Sequence, residues 1–573
     1  MKINKKWIIS CIIVFSFCFM FEVFSQTPPP GQTTGGVLRQ EEQIEKIKKL
    51  EKKIKEKRPK PEEIVPEEIA PEEVGKKVFI KKIIVEGVTL IPEEDIKKIT
   101  SQFEGRELSL KDMQKVADLI TDEYRKRGYV TSRAYIPPQT IRKSTLIIRV
   151  VEGKVGRLEI KGNRYFKTEL LRKKINFNLR GYFDYSALQK SLVYINEHPD
   201  RFAKAVLVPG KTPGTTDIII EVEDRLPIHA GFELDNFGSR FIDKERGSFV
   251  FEHNNFLGFD DKLYFRLQRS EANLFQVKQL RYSFPVDPTL EVGMYVSHSK
   301  MKLGEEFKDV DARGKATIAS IFLNKALIST EKLDLRFNFA FDYKRIRNYL
   351  LGIESSRDDV RVVRTGFDID FNDKWGRNIV TLEVDSGIPR MFGALTAKDP
   401  KASRSGAGGK FIKVLVNYFR LQPSIFSSSI LWKNFFQFSP YTLVASEQFQ
   451  IGGPVSVRGY PPAEYSGDKG LYSSFEWSFP PYFISKKMKV PFTKNTTFYD
   501  ALRIVLFYDW ATSHVNKVLA GEKKHHTLKG YGFGVRFIPN DNFSLRIEVG
   551  YPQGSTPSDT DHAHPWVEFK WKL

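Results

Sequence analysis

Leu333–Asp342 reads LDLRFNFAFD. Leu333, Leu335, Phe337, Phe339 and Phe341 fall on one side of an extended chain, and Asp334, Arg336, Asn338, Ala340 and Asp342 on the other. Such period-two alternation marks a strand with one apolar and one wet face. It recurs: Leu263, Phe265 and Leu267 alternate with Tyr264, Arg266 and Gln268, and Phe543, Leu545, Ile547 and Val549 with Ser544, Arg546 and Glu548. The chain ends the same way, with Val567, Phe569, Trp571 and Leu573 set against Glu568, Lys570 and Lys572. A water-soluble sandwich also alternates. Here, however, charges fill nearly every non-apolar site and the opposite faces are rich in Phe, which fits a wet lumen and a lipid face. The alternating pattern runs from about residue 226 to the chain end at 573.

One loop interrupts this pattern: Ile451 to Gly470, IGGPVSVRGYPPAEYSGDKG. Five strands follow it, at 470–479, 501–510, 528–537, 543–551 and 565–573. If the chain ends in the periplasm, an odd number of strands puts the loop on the extracellular side. The tetrad Val457, Arg458, Gly459 and Tyr460, with the following Ser466-Gly467-Asp468 and a strand, resembles the signature loop of two-partner secretion transporters. These form the TpsB family, of the filamentous-haemagglutinin and ShlB-haemolysin type, in the outer-membrane superfamily of the barrel-assembly protein BamA. The resemblance implies a sixteen-strand antiparallel transmembrane β-barrel with the loop (447–470) folded back into its lumen between strands eleven and twelve. It also implies a partner for Arg458 on the barrel wall, in a Phe-x-Asp motif here read as Phe507-Tyr508-Asp509. Planar five-donor Arg grips a carboxylate through two hydrogen bonds.

The amino-terminal segments agree. Trp7 to Phe21 is apolar, follows Lys2, Lys5 and Lys6, and precedes Val23-Phe24-Ser25, so residues 1–25 read as a secretory signal. Cys11 and Cys18 both lie in it, which leaves the mature chain without a disulfide or a Cys ligand. Residues 26–60 contain a charged helix over 37–58, with one apolar stripe (Ile44, Ile47, Leu50, Ile54) and Glu/Lys pairs at i,i+4. Alone it reads as a floating or coiled-coil helix; the resemblance implies a plug threaded through the barrel. Residues 61–76 hold three Pro-Glu-Glu pentads, an extended spacer.

Residues 77–153 read strand, helix, helix, strand, strand, and residues 154–225 repeat that order, an internal repeat of about 75 residues. Each copy resembles a POTRA domain, the periplasmic polypeptide-binding module of this superfamily. Arg127-Gly128-Tyr129 with Ala134-Tyr135-Ile136-Pro137-Pro138-Gln139 carries the first resemblance, and Val206 to Asp217 the second. By that analogy Thr131, Ser132, Arg133, Ala134, Tyr135 and Ile136 form an edge strand that offers free N–H and C=O groups to an extended cargo.

The net charge of +20 points to an anionic surface. Export argues against nucleic acid and for outer-membrane lipids and lipopolysaccharide. His525-His526 and His562/His564 read as loop histidines, so no metal is expected, and no catalytic constellation or cofactor motif is found. The resulting expectation is an outer-membrane translocator, not an enzyme, with POTRA domains in the periplasm. It would export an unfolded secreted partner without ATP and be inserted itself by the barrel-assembly machinery. The alternatives are a BamA-like insertion factor or an outer-membrane barrel enzyme.

Overall fold

The computed structural model describes residues 28–56, 63–64, 77–175, 177–178, 181–330, 332–493, 495–519 and 522–573. The expected signal and most of the spacer lie outside these residues. The chain divides into two compact units, one holding the amino-terminal helix and the barrel, the other residues 58–227 with 257–260.

Helix α1 spans Thr34–Lys55, starting earlier than the expected 37 because the Thr33 side chain caps it by accepting from the Gly36 N–H. Lys52, Lys53 and Lys55 close the last turn, where the helix dipole favours cations. Its 22 residues reach about 33 Å, enough to cross a hydrocarbon layer of about 30 Å. Ile44, Ile47, Leu50 and Ile54, the stripe read from the sequence, are buried in the largest apolar cluster of the barrel unit. The helix therefore does not float.

In the second unit, β1 (Glu63–Ile64) precedes two α/β modules. The first comprises β2 (Val78–Ile80), β3 (Lys82–Glu86), α2 (Glu93–Thr100), β4 (Arg106–Leu108), α3 (Leu110–Lys126), β5 (Arg133–Tyr135) and β6 (Thr145–Val151). The single strand expected at the start of residues 77–153 is broken at Lys81, and β2 pairs with β4, a strand the sequence reading did not separate. Ser109 and Asp112 form a capping box on α3. That helix lays Met113, Val116, Ile120 and Tyr124 on Leu146, Ile148 and Val150. The second module comprises β7 (Lys154–Lys161), α4 (Thr168–Lys173), α5 (Tyr185–Asn196), β8 (Arg201–Pro209) and β9 (Thr215–Asp224), in a sheet ordered β1-β8-β9-β7.

Sixteen antiparallel strands close the barrel. The first six are β10 (Ile228–Asp235), β11 (Arg246–His253), β12 (Lys262–Ser270), β13 (Phe275–Asp287), β14 (Leu290–Lys302) and β15 (Arg313–Ser329). The next five are β16 (Leu333–Leu350), β17 (Ile353–Asn372), β18 (Arg377–Gly387), β19 (Phe411–Pro423) and β20 (Ser429–Phe438). A two-stranded hairpin, β21 (Phe449–Ile451) with β22 (Tyr465–Gly467), lies outside the wall. The last five are β23 (Lys469–Phe479), β24 (Leu502–His514), β25 (His525–Asn540), β26 (Phe543–Pro552) and β27 (His564–Lys572). Strand β10 pairs with β27 from Gly231↔Lys572 to Asp235↔Glu568, so no strand edge faces lipid. Alternation is clear on β24: Val505, Phe507, Asp509 and Ala511 are buried inward, while Leu506 and Tyr508 are exposed outward.

Candidate functional site

After β20 the chain leaves the wall, folds inward as β21–β22, and returns as β23, the twelfth barrel strand. Val457, Arg458, Gly459 and Tyr460 are all buried. Their residue types follow from what each touches. Val457 packs toward Gly530 of β25, where an added Cβ would meet its Cγ1 at 3.1 Å. A Cβ on Gly459 would lie 2.5 Å from the Tyr551 carbonyl, so only glycine lets the loop backbone lie against β26. Gly452 and Gly453 have φ of 101° and 96° and turn the loop inward. The Tyr460 hydroxyl donates to the Ser555 carbonyl at 2.9 Å.

Arg458 uses all five guanidinium donors. Nε donates to Asp509 Oδ2 at 2.8 Å and Nη2 to Oδ1 at 2.7 Å, a bidentate grip. Nη1 donates to Glu476 at 2.8 Å and Glu548 at 2.9 Å, and Nη2 also to Ser474 Oγ at 3.2 Å. The backbone N–H of Arg458 donates to Asp509, and its carbonyl accepts from Trp566 Nε1 at 2.8 Å. The guanidinium lies 3.3 Å over the Phe507 ring. Arg458 and Asp509 are therefore joined, as their positions in the motifs imply. Glu476 and Glu548 were not singled out from the sequence.

The surrounding charges balance. Lys433 pairs with Glu476 at 2.7 Å and with Glu51 of α1 at 2.9 Å. Arg536 pairs with Glu476 and Glu548, and Arg546 with Glu548 and Glu51. Arg458, Lys433, Arg536 and Arg546 thus face Asp509, Glu476, Glu548 and Glu51. Compensation of this kind offsets the desolvation of buried ions. The network joins the lumen loop, the wall and helix α1.

Helix α1 is held along its length. Glu41 pairs with Arg246, Glu45 with Arg266 at 3.0 Å, Lys46 with Glu383 at 3.3 Å, and Lys48 with Glu568. At its amino-terminal end it meets the lumen loop: Gln450 donates to the Gly36 carbonyl at 2.8 Å, and Arg39 Nε to the Gln448 carbonyl at 3.3 Å. The loop mouth has its own fastenings. Asp468 accepts from the Leu443 and Asn516 N–H groups at 2.8 and 2.7 Å, and Glu464 accepts from Ser558 N–H and Oγ at 2.9 and 2.7 Å.

The residues Thr131 to Ile136 contain a shorter strand than expected, β5, at the rim of the sheet β3-β6-β5. Its central N–H, on Ala134, is spent on Thr121 Oγ1 at 3.0 Å, and Ser132 is buried and accepts from Gly153 N–H. The counterpart in the second module, β8, is nine residues long, and β1 pairs parallel to it at Ala205 and Val206. Of the loop histidines, His564 lies 3.1 Å from Asp559, with Asp561 close by. The sequence reading took His564 as a loop histidine and expected no metal; the turn at Thr560, φ 63°, brings the two aspartates back to it.

A family model described as haemolysin secretion/activation protein ShlB/FhaC/HecB matches residues 214–505, and one for the ShlB-type POTRA domain matches residues 78–153. The heme/hemopexin transporter protein HuxB of Haemophilus influenzae (strain 86-028NP) is 22% identical over 491 residues, 83% of either chain. The outer membrane transporter CdiB of Dickeya dadantii is 21% identical over 475 residues, 81% of either chain. The hemolysin transporter protein HpmB of Proteus mirabilis is 22% identical, covering 69% of this chain and 71% of its own. Among solved structures, CdiB from Escherichia coli superposes with a TM-score of 0.71 at 20% identity, over 94% of this chain and 97% of that one. BamA from Haemophilus ducreyi, lacking POTRA domains 1–3, gives 0.54 at 13% identity, over 87% and 100%. At these identities the two structures speak for the fold.

Proposed function

The chain belongs to the haemolysin secretion/activation family ShlB/FhaC/HecB, the TpsB transporters of the outer membrane, and from that premise we propose how it moves its cargo. It is a two-partner secretion transporter with periplasmic POTRA domains. The cargo is a secreted protein that arrives unfolded and is recognised in the periplasm by backbone pairing along the sheet rims of the POTRA modules. Thr131 to Ile136 would have to give up the bond from Ala134 N–H to Thr121 before it could pair; β8 offers the longer rim, supported by its nine residues and by the two-residue strand already paired to it. Pairing through N–H and C=O groups suits a carrier that must accept an extended chain with little regard to sequence.

At rest the lumen is filled by helix α1 and the inward loop, and both withdraw or shift as the cargo enters. The observation that carries this reading is that neither insert is held by apolar packing alone. Each is pinned to the wall by ion pairs, and the pins meet in one network around Arg458. Ion pairs reform readily with water and with a passing polar chain; a continuous apolar core would not release. Export runs without ATP, with folding of the cargo outside supplying direction, and the chain itself carries out no chemical reaction. Lipid and lipopolysaccharide surround the barrel, which the barrel-assembly machinery inserts.

The test is secretion of the cognate partner by cells carrying this chain, alongside titration of purified residues 77–225 with the partner's amino-terminal domain, folded and unfolded. Binding of the unfolded domain and loss of secretion without the POTRA modules are expected. Secretion that survives their removal would sink the recognition step.

A further inference from the structure

One turn on the side of the barrel where the strands begin and end does not fit the rest. Between β23 and β24 run 22 residues, 480–501, whereas the other turns at that end span from two residues (288–289) to eight (254–261). Described residues of the long turn are tied to one another. Lys489 bridges Thr497, the Val490 N–H donates to the Thr496 carbonyl at 2.9 Å, and the Phe498 N–H to the Met488 carbonyl at 2.9 Å. Yet it presents large apolar side chains outward: Phe483 is 80% exposed, Phe492 fully exposed, and Met488 more than half. Phe492 holds φ at 61°, a conformation bulky residues avoid, and no burial compensates for it.

Two further observations say what covers this surface. The aromatic side chains continue the lipid face of the wall. Trp477 points outward on β23 and packs against Phe479 at 5.3 Å, and Phe479 stacks on Tyr482 at 6.1 Å and 3°. The Tyr482 hydroxyl then donates to the Phe426 carbonyl at 2.7 Å, tying in the neighbouring turn, where Ile425 and Phe426 are also exposed. The second observation is charge. From Pro480 to Tyr499 the sequence has four lysines (486, 487, 489 and 494) and no acid. Lys486, Lys487 and Lys489 are exposed, and Lys486 Nζ lies 5.0 Å over the Tyr499 ring.

We propose that residues 480–497 are a membrane-interface anchor. Phe483, Met488 and Phe492 would enter the inner leaflet of the outer membrane, and the lysines would meet anionic phospholipid headgroups. Aromatic rings settle at the headgroup level, and each lysine near an anionic surface is worth about five-fold in partitioning. Anchored below β20, β23 and β24, the turn fixes the wall segment that carries Lys433, Glu476 and Asp509 against the pull of a moving cargo. The proposal rests on the reading of the chain as an outer-membrane barrel.

Residues 28–573 contain no cysteine, so single labels can be placed in the full mature chain. A nitroxide at F492C, in liposomes of phosphatidylcholine with phosphatidylglycerol, is expected to collide with oxygen several-fold more than with a water-soluble nickel complex. A label at S405C, in an extracellular loop, should show the reverse. K486E/K487E/K489E should cut the immersion of the Phe492 label at least ten-fold in membranes containing phosphatidylglycerol and little in phosphatidylcholine alone. Heat-modified migration of the barrel reports that each variant is folded. Nickel access at 492 equal to that at 405 overturns the anchor, as does protection that appears only when the secreted partner is added. Immersion with no secretion would count against the export reading and leave the anchor standing.

Discussion

Glu51 of helix α1 and Lys433 of strand β20 lie 2.9 Å apart, and Lys433 lies 2.7 Å from Glu476, which Arg458 also binds. Lys433 thus links the plug helix to a carboxylate that holds the lumen loop, as Arg546 links Glu51 to Glu548. Motion of one insert is felt by the other through these shared charges as well as through the hydrogen bonds at the helix's amino-terminal end.

The plug should therefore loosen when Glu51 is neutralised. Glu51→Gln leaves Lys433 to Glu476 and Arg546 to Glu548, and removes the helix from the network. A charged hydrogen bond of this kind is worth about 2 kcal/mol, so the closed-to-open ratio should fall about thirty-fold. Planar-bilayer recordings would show this as longer and more frequent openings. Removing residues 30–60 should open the pore permanently while sparing secretion. Recordings in which neither change alters conductance would take the plug out of the account.

Arg458 and Asp509 should not behave as equal partners. Arg458→Ala strands Asp509, whose only ion pair among the described residues is to Arg458. An uncompensated buried charge costs about 3–5 kcal/mol. Asp509→Ala leaves Arg458 with Glu476 and Glu548 and should be the milder change. The double variant should secrete no worse than Arg458→Ala, since partners in one network are non-additive. Arg458→Lys should rescue only partly, because an ammonium cannot span three carboxylates with a fixed fork. Secretion assays on barrels shown to be inserted would decide; equal losses for the two single variants would mean that Glu476 and Glu548 contribute nothing.

The barrel was legible because a wet lumen and a lipid face force alternation at every strand, and the position of the inward loop followed from counting strands back from Leu573. Glu476, Glu548, Lys433 and Arg536 were not legible as site residues. Each is one inward charge among many, and only closure of the barrel decides which of them meet. The start of helix α1 was misplaced for a local reason. Gly35 and Gly36 discourage helix by propensity, yet a Cβ on Gly35 would meet Ser446 N at 3.1 Å, so the glycines permit close approach of the helix to the loop. On β5, the spacing of apolar residues revealed a strand but not that Thr121 takes its outward N–H.

Gly459→Ala offers a steric test of the loop's seat. The new methyl meets the Tyr551 backbone, which cannot swing aside, and overpacking of this kind costs about 1–3 kcal/mol. The tetrad should lift from β26 and draw Arg458 from its carboxylates. Trypsin added to intact cells should then cleave after Arg458, while the wild-type loop resists. A loop equally resistant in both would mean that the wall yields to the methyl instead.

Acid should destabilise the first POTRA module through Glu152. Its carboxylate accepts from the Thr89 N–H at 2.6 Å, the Leu90 N–H at 2.8 Å and the Tyr124 hydroxyl at 2.7 Å, and also from Thr89 Oγ1. Partial burial pushes the acid's pKa up, but the donors outweigh it and hold it below the ordinary carboxylate value. A group depressed in the folded state stabilises fully above its unfolded pKa, about 4.3, and loses that contribution as pH falls through the folded value. Residues 77–225 contain two apolar cores of their own, one per module, so the fragment can be studied directly. Its urea midpoint should hold from pH 7 to about 5 and drop below about 4 as Glu152 protonates. Glu152→Gln cannot ionise and leaves one of its amide hydrogens facing donors. It should be less stable than wild type at pH 7 by about 1–2 kcal/mol, with the gap closing near pH 3. A gap that stays constant from pH 7 to 3 would show that the proton on Glu152 is not what acid adds.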